Sequence, residues 1–200
     1  KNIGVIVQQI DKAAQIFWSD PGRHKTGRLN LRKARYEIFN NGIGLDSQFD
    51  EDIRWAIADK CGQLMFEKTT LYPDAISTLN KLRHNKVKLA LVTNGTSTAQ
   101  RKKITKFHLE NHFDHIQIEG EAGIGKPELD AYKRALTALE VNASETWMVG
   151  DNLEWEVIAP QKLGIFSIWR DPHGDGTLPK NTTAKPDMII TKLSELVTGY

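Results

Sequence analysis

Two hundred residues are enough for one well-buried core, or for a core with a small accessory domain. A hydrophobic fraction of 40% and a charged fraction of 26% describe a globular chain, and a net charge of +2 is too small to argue for a nucleic-acid or membrane partner. No apolar run is long enough to span a bilayer, the opening stretch KNIGVIVQQIDK lacks the design of a signal peptide, and Cys61 as the single cysteine makes a reducing cytoplasm the simplest home.

The first 70 residues are expected to be all-helical. IGVIVQQIDKAAQIFW places Ile6, Ile10, Ala13, Ala14 and Phe17 at helical spacing. SDPGRHKTGR is read as a break, from Pro21, Gly22 and Gly27. LNLRKARYEIFNNG resumes a helix, with Asn30 as its cap and Asn41-Gly42 as its stop. DSQFDEDIRWAIADKCGQLMFEK reads as a third helix, started by Asp46 or Ser47.

The texture changes at TTLYPDA, which sets a boundary between residues 1–70 and 71–200. DAISTLNKLRHN is a predicted helix, and VKLALVTN an apolar strand of the kind buried on both faces. STAQRKKITKFHL is a helix, HIQIEG a short strand, and PELDAYKRALTALE a helix with Pro127 at its first position. TWMVG is a strand, LEWEVIAPQKLG a helix and IFSIWR a strand; DMII and KLSELV close the chain. Strands alternating with helices predict an α/β fold with a doubly wound parallel sheet.

Such sheets bind ligands at the carboxyl ends of their strands. Three of those ends carry chemistry. LVTNGT ends in Thr93-Asn94-Gly95, IQIEGEAGIGKPE leads through glycines to Lys126, and WMVGD ends in Asp151, with Glu154 and Glu156 close behind. Hydroxyls, free backbone N–H groups and an ammonium suit a phosphate, and clustered carboxylates suit Mg²⁺ beside it.

Taken in order, LVTNGT, GKPELDAY and VGDNLEWEV resemble the second, third and fourth motifs of the haloacid dehalogenase-like superfamily. The layout of the whole chain is similar, with residues 1–70 standing where many members insert a small helical cap domain and residues 71–200 as a Rossmann-like core domain. The resemblance implies that Thr93 binds the transferring phosphoryl group by its hydroxyl and Asn94 by its backbone N–H. It implies further that Lys126 neutralises phosphate and nucleophile, and that Asp151, with Glu156 in place of the usual Asp, ligates Mg²⁺. Glu154 falls between the motif's acids and is expected to face solvent.

The family's first motif, Asp-x-Asp-x-Thr, does not precede the cap; DPHGDGT, late in the chain, mimics it only superficially and reads as a turn. The nucleophilic aspartate is therefore expected on a strand before Lys1, central in the sheet, beside VKLALVTN and TWMVG. The implied activity is Mg²⁺-dependent hydrolysis of a small phosphorylated metabolite through an aspartyl-phosphate. Thr93 and the Gly150-Asp151 to Glu156 spacing favour a phosphatase over a dehalogenase. The alternatives are an inactive binding member of the same fold and a P-loop protein using GEAGIGK, Gly120 to Lys126. Against the P-loop, Pro127 stands where a Ser or Thr would hold Mg²⁺. His108, His112 and His115, and the Arg101, Lys102, Lys103, Lys106 run, read as solvated surface.

Overall fold

The computed structural model describes residues 3–44, 49–171 and 173–198. The chain divides into two compact units, Lys1–Thr70 and Leu71–Tyr200.

Among its described residues the first unit has the α-helices α1 (Ile3–Ser19), α2 (Pro21–Gly27), α3 (Leu31–Ile43) and α4 (Glu51–Lys68). Helix α1 packs on α3 through Ile10, Ala13, Ala14 and Phe17 against Ala34 and Ile38. Helix α3 packs on α4 through Phe39 and Ala58, with Tyr36, Ile43, Ile57 and Cys61 around them. The stretch expected to be a break is instead α2. Asp20 caps it by accepting the Arg23 N–H at 2.7 Å, and Pro21 sits in the first turn, where its missing N–H costs nothing. The pair that reads as a breaker is thus a start signal. Asn30 caps α3 through the Lys33 N–H, as expected. The stop lies further on than Asn41-Gly42, at Gly44, whose φ of 66° is the left-handed conformation glycine supplies without strain. The expected start of the third helix at Asp46 or Ser47 lies outside the described residues; α4 itself begins after Asp50.

The second unit alternates helix and parallel strand. Helix α5 (Ala75–His84) leads to β1 (Ala90–Thr93), α6 (Ser97–Lys106) to β2 (His115–Ile118), and the short turn α7 (Glu119–Ala122) and α8 (Leu129–Leu139) to β3 (Trp147–Gly150). A π-helical turn at Glu154–Ile158 and α9 (Ala159–Gln161) precede β4 (Phe166–Arg170); β5 (Met188–Ile190) and a 3₁₀ turn at Leu193–Val197 follow. Among the described residues all ladders are parallel. β1 pairs with β2 (Thr93 opposite Ile118), β3 with β4 (Gly150 opposite Trp169), and β4 with β5. The sheet comes in two pieces, β1-β2 and β3-β4-β5, and no ladder joins β1 to β3 among the described residues.

The core lies on both faces of β3-β4-β5. On one face Ile168 and Ile190 are fully buried beneath Leu193 and Leu196, with Val149 beside them. On the other, Trp169 packs with Val157 and Ala184. Asp74 precedes α5 but does not cap it; its carboxylate accepts the Ser194 N–H at 2.8 Å, tying the start of α5 to the last turn. Two boundaries differ from expectation. Helix α8 begins at Leu129, so Pro127 precedes it rather than opening it. LEWEVIAPQKLG is a π-helical turn before one α turn, with Ala159 N–H reaching back to Glu154 O; this wide turn directs Glu156 and Val157 inward.

Candidate active site

The carboxyl ends of β1 and β3 are linked through one buried ion pair. The Lys126 ammonium donates to Glu156 Oε1 at 2.7 Å, with side-chain exposures of 11% and 4%. Glu156 Oε2 accepts the Asn152 N–H at 2.8 Å. Burial pushes the Glu156 carboxyl above its ordinary range; the Lys126 charge and the Asn152 N–H pull it back, and the nearby Asp151 carboxylate pushes it up again. An ion this deep is tolerable only because both of its oxygens have donors.

Lys126 is held at its backbone as well. Asn94, the residue after β1, donates from Nδ2 to Lys126 O at 2.6 Å and accepts Lys126 N–H at Oδ1 at 2.8 Å. One carboxamide therefore closes both backbone groups of Lys126. Gln100 in turn donates to Asn94 O at 2.9 Å. Thr93 ends β1; its hydroxyl lies 3.5 Å from Asn94 O, at the outer limit of a hydrogen bond, so a ligand oxygen could recruit it readily.

Asp151 directly follows β3. Its carbonyl accepts the indole N–H of Trp169 at 2.9 Å, and its side chain is exposed. Glu154 faces solvent, as expected. The structure thus brings Asn94, Lys126 and Glu156 into one bonded chain, with Thr93 next to Asn94 and Asp151 acting on Glu156 through its charge.

Gly150 explains why nothing larger can end β3: a Cβ there would overlap Cγ of Glu156. Gly150→Ala is expected to displace Glu156, break its pair with Lys126 and destabilise the fold by roughly 2 kcal/mol, as overpacking of a tight site does. Thermal melts of the variant would show it, and an unchanged midpoint would mean that Glu156 has another place to go.

The glycine-rich loop does not form a phosphate cradle. Gly120 N–H donates to Gly95 O at 2.9 Å, Gly123 N–H to Glu119 O at 2.8 Å, and Lys126 N–H to Asn94. These three donors are spent inside the protein, which counts against the P-loop alternative.

Two buried acids at the same strand ends escaped the sequence reading. Glu119, after β2, accepts the Gly95 N–H at 2.9 Å. Asp171, after β4, is fully buried and accepts the N–H groups of His173 at 2.8 Å and Gly176 at 2.7 Å, so the DPHGDGT turn is wound around it. Burial alone would raise the Asp171 carboxyl, but its N–H donors outweigh burial and hold it below the usual range. Position was the available signal: Asp171 is the first acid after the predicted strand IFSIWR, and Glu119 lies at the end of the predicted strand HIQIEG.

A family model for haloacid dehalogenase-like hydrolases matches residues 37–170, two thirds of the chain. The chain belongs to that family. Among haloacid dehalogenase-like relatives, the phosphoserine phosphatase of Thermus thermophilus is 37% identical over 126 residues, 63% of this chain and 49% of that one. The ribulose-1,5-bisphosphate 5-phosphatase of Halopiger xanaduensis is 30% identical over 87% of this chain and 75% of its own length. The match thus takes in about half the length of the Thermus protein. In fold, the chain is similar to a HAD phosphatase of Thermococcus onnurineus, with a TM-score of 0.61 at 26% identity, covering 97% of this chain and 87% of that one. It is also similar to YfnB of Bacillus subtilis, solved bound to magnesium, with a TM-score of 0.75 at 21% identity, covering 98% and 82%. The chain therefore has the Rossmann-like fold of the haloacid dehalogenase-like hydrolases, and its parallel strands agree with it.

Proposed function

We propose that the protein hydrolyses a small phosphate monoester, with residues 71–200 as the catalytic core domain and residues 1–70 as a helical cap domain. The observation that carries this reading is the buried Lys126–Glu156 pair, gripped by Asn94 and set where strand ends meet. A lysine held so rigidly suits neutralisation of charge that develops during phosphoryl transfer, because a fixed cation needs no reorganisation. The phosphatase names of the relatives in Thermus and Halopiger support the same substrate class.

In this reading the Thr93 hydroxyl and the Asn94 backbone N–H hold the phosphoryl oxygens, and Lys126 balances their charge. An aspartate carboxylate oxygen forms the bond to phosphorus as the ester oxygen leaves and takes a proton; water then hydrolyses the acyl phosphate. We assign that aspartate to a strand between β1 and β3. The support is that β1 is paired only with β2, and β3 only with β4, among the described residues.

Asp151 and Glu156 are the residues that would hold Mg²⁺. Among the described residues no three acidic, histidine or cysteine side chains gather, but Mg²⁺ keeps most of its waters and asks for only one or two carboxylates. Asp151 fits better, since it is exposed while both Glu156 oxygens already accept hydrogen bonds. Bound there, the ion would offset negative charge on the transferring phosphoryl group. We place the protein in the cytoplasm, on the ground of its single cysteine.

The test is release of inorganic phosphate by the full-length protein from p-nitrophenyl phosphate and a panel of sugar, amino-acid and nucleotide monophosphates, with Mg²⁺ and with chelator. Phosphate binding without release from any of them would instead establish the inactive binding member.

A further inference from the structure

The catalytic reading leaves Glu119 unused. It is an acid only 4% exposed, sitting in the short turn after β2. Its Oε2 accepts the Gly95 N–H at 2.9 Å. Immediately alongside, Gly120 N–H donates to Gly95 O at 2.9 Å. Both backbone groups of Gly95 are thus tied to the Glu119-Gly120 peptide region, and Gly95 has a φ of 113°, outside the reach of ordinary side chains. One residue earlier, Asn94 ties both backbone groups of Lys126. The turn after β1 and the loop after β2 are therefore stitched by four hydrogen bonds, two contributed through Asn94 and two through Glu119 and its neighbour.

Gly125 shows how tightly this stitch is drawn. A Cβ there would lie 2.7 Å from Asn94 Oδ1 and 2.7 Å from Glu119 Cδ. The two side chains converge over one glycine, directly before Lys126. Any shift of Glu119 would be felt by Asn94 and by the loop that carries the lysine.

We propose that Glu119 is a positioning residue: by holding the Gly95 N–H it fixes the Thr93-Asn94 turn and the Lys126 loop in one geometry, and so sets the affinity of the site for the phosphoryl group. A buried acid is well suited to this. A carboxyl oxygen enclosed by the protein cannot drift from the N–H it accepts. The inference rests on the phosphate-ester reading above, and its chemistry asks nothing of Glu119 at the reacting atoms.

The experiment compares the full-length wild type with Glu119→Asp, Glu119→Gln and Gly125→Ala. The readouts are kcat and KM for p-nitrophenyl phosphate, and the dissociation constant of inorganic phosphate by calorimetry. Aspartate is one methylene too short to reach Gly95, so Glu119→Asp is expected to raise KM and weaken phosphate binding by about tenfold, the worth of one hydrogen bond. Glutamine keeps an acceptor at the same reach, and Glu119→Gln should stay within about threefold of wild type. Gly125→Ala presses on Asn94 and Glu119 from the opposite side and should reproduce the loss. A merely structural role for Glu119 would lower the melting temperature and leave KM and phosphate affinity alone in the folded fraction. That result, or equal loss in the Asp and Gln variants, overturns the proposal. A wild type that binds phosphate but turns nothing over overturns the phosphatase reading and leaves this one decided by the calorimetry; a wild type that does neither overturns both.

Discussion

Lys126→Met is expected to lower phosphate-ester turnover by ~10²–10³-fold, the usual effect of losing one fixed charge-stabilising donor. It is also expected to destabilise the core by about 3 kcal/mol, because Glu156 is left buried without its cation. The two effects separate in a double variant. Lys126→Met with Glu156→Gln removes the stranded charge, so most of the stability should return while turnover stays lost. The stability part depends on pH, with a definite sign. Burial already raises the folded carboxyl of Glu156 above its unfolded value, and removing Lys126 takes away an influence that lowers it. Between the unfolded and folded values the native state binds the extra proton, so stability declines as pH rises through that window and then levels off. Lys126→Met should therefore be closest to wild type in acid and most destabilised at neutral pH and above. Urea melts at pH 5 and pH 8 check this. A variant equally destabilised at both would show that Glu156 does not carry the penalty.

The strands were legible because VKLALVTN, TWMVG and IFSIWR are short apolar runs between turn residues; the burial on both faces expected of VKLALVTN does not hold, since β1 is only half-buried, and it is the middle of β4 that is buried. The α/β class and the family followed from their alternation with helices and from the residues at their ends. Errors gathered at local ambiguities. Asp20-Pro21 reads equally as a breaker or as a cap with its first residue, and Asn41-Gly42 reads as a stop although Gly44 is equally able to end the helix. What was hidden was every long-range pairing. Nothing local distinguishes buried Glu119 and Asp171 from solvated loop acids, since burial is decided by segments far away in sequence. Glu156 was read as a metal ligand one methylene too long, and no spacing rule announces that Lys126, 30 residues earlier, donates to it. Asn94 was noticed for its backbone N–H, while its carboxamide grips a loop 32 residues on.

Asp151→Asn is expected to remove metal-dependent turnover, by ~10²-fold or more, as removal of a principal charge-stabilising group does, and to leave the folded state nearly untouched. Its side chain is exposed, and its hydrogen bond from Trp169 reaches the backbone carbonyl, which asparagine retains. Stability should thus stay within about 0.5 kcal/mol of wild type. Glu156→Gln is expected to behave in the reverse manner. Glutamine can still accept from Lys126 or from the Asn152 N–H, but it leaves a buried ammonium facing a neutral partner, which costs roughly 1–3 kcal/mol. Its turnover should fall only by about tenfold, an amount set by one weakened charge-assisted bond to Lys126. The ordering follows from the geometry. An exposed carboxylate at a strand end can lend its lone pairs to an incoming cation, whereas both Glu156 oxygens are already engaged and the residue acts chiefly by steadying Lys126. The decisive measurement is the Mg²⁺ concentration for half-maximal rate. It should rise sharply for Asp151→Asn and little for Glu156→Gln, and the opposite ordering would place the metal on Glu156 and free Lys126 from the pairing seen in this structure.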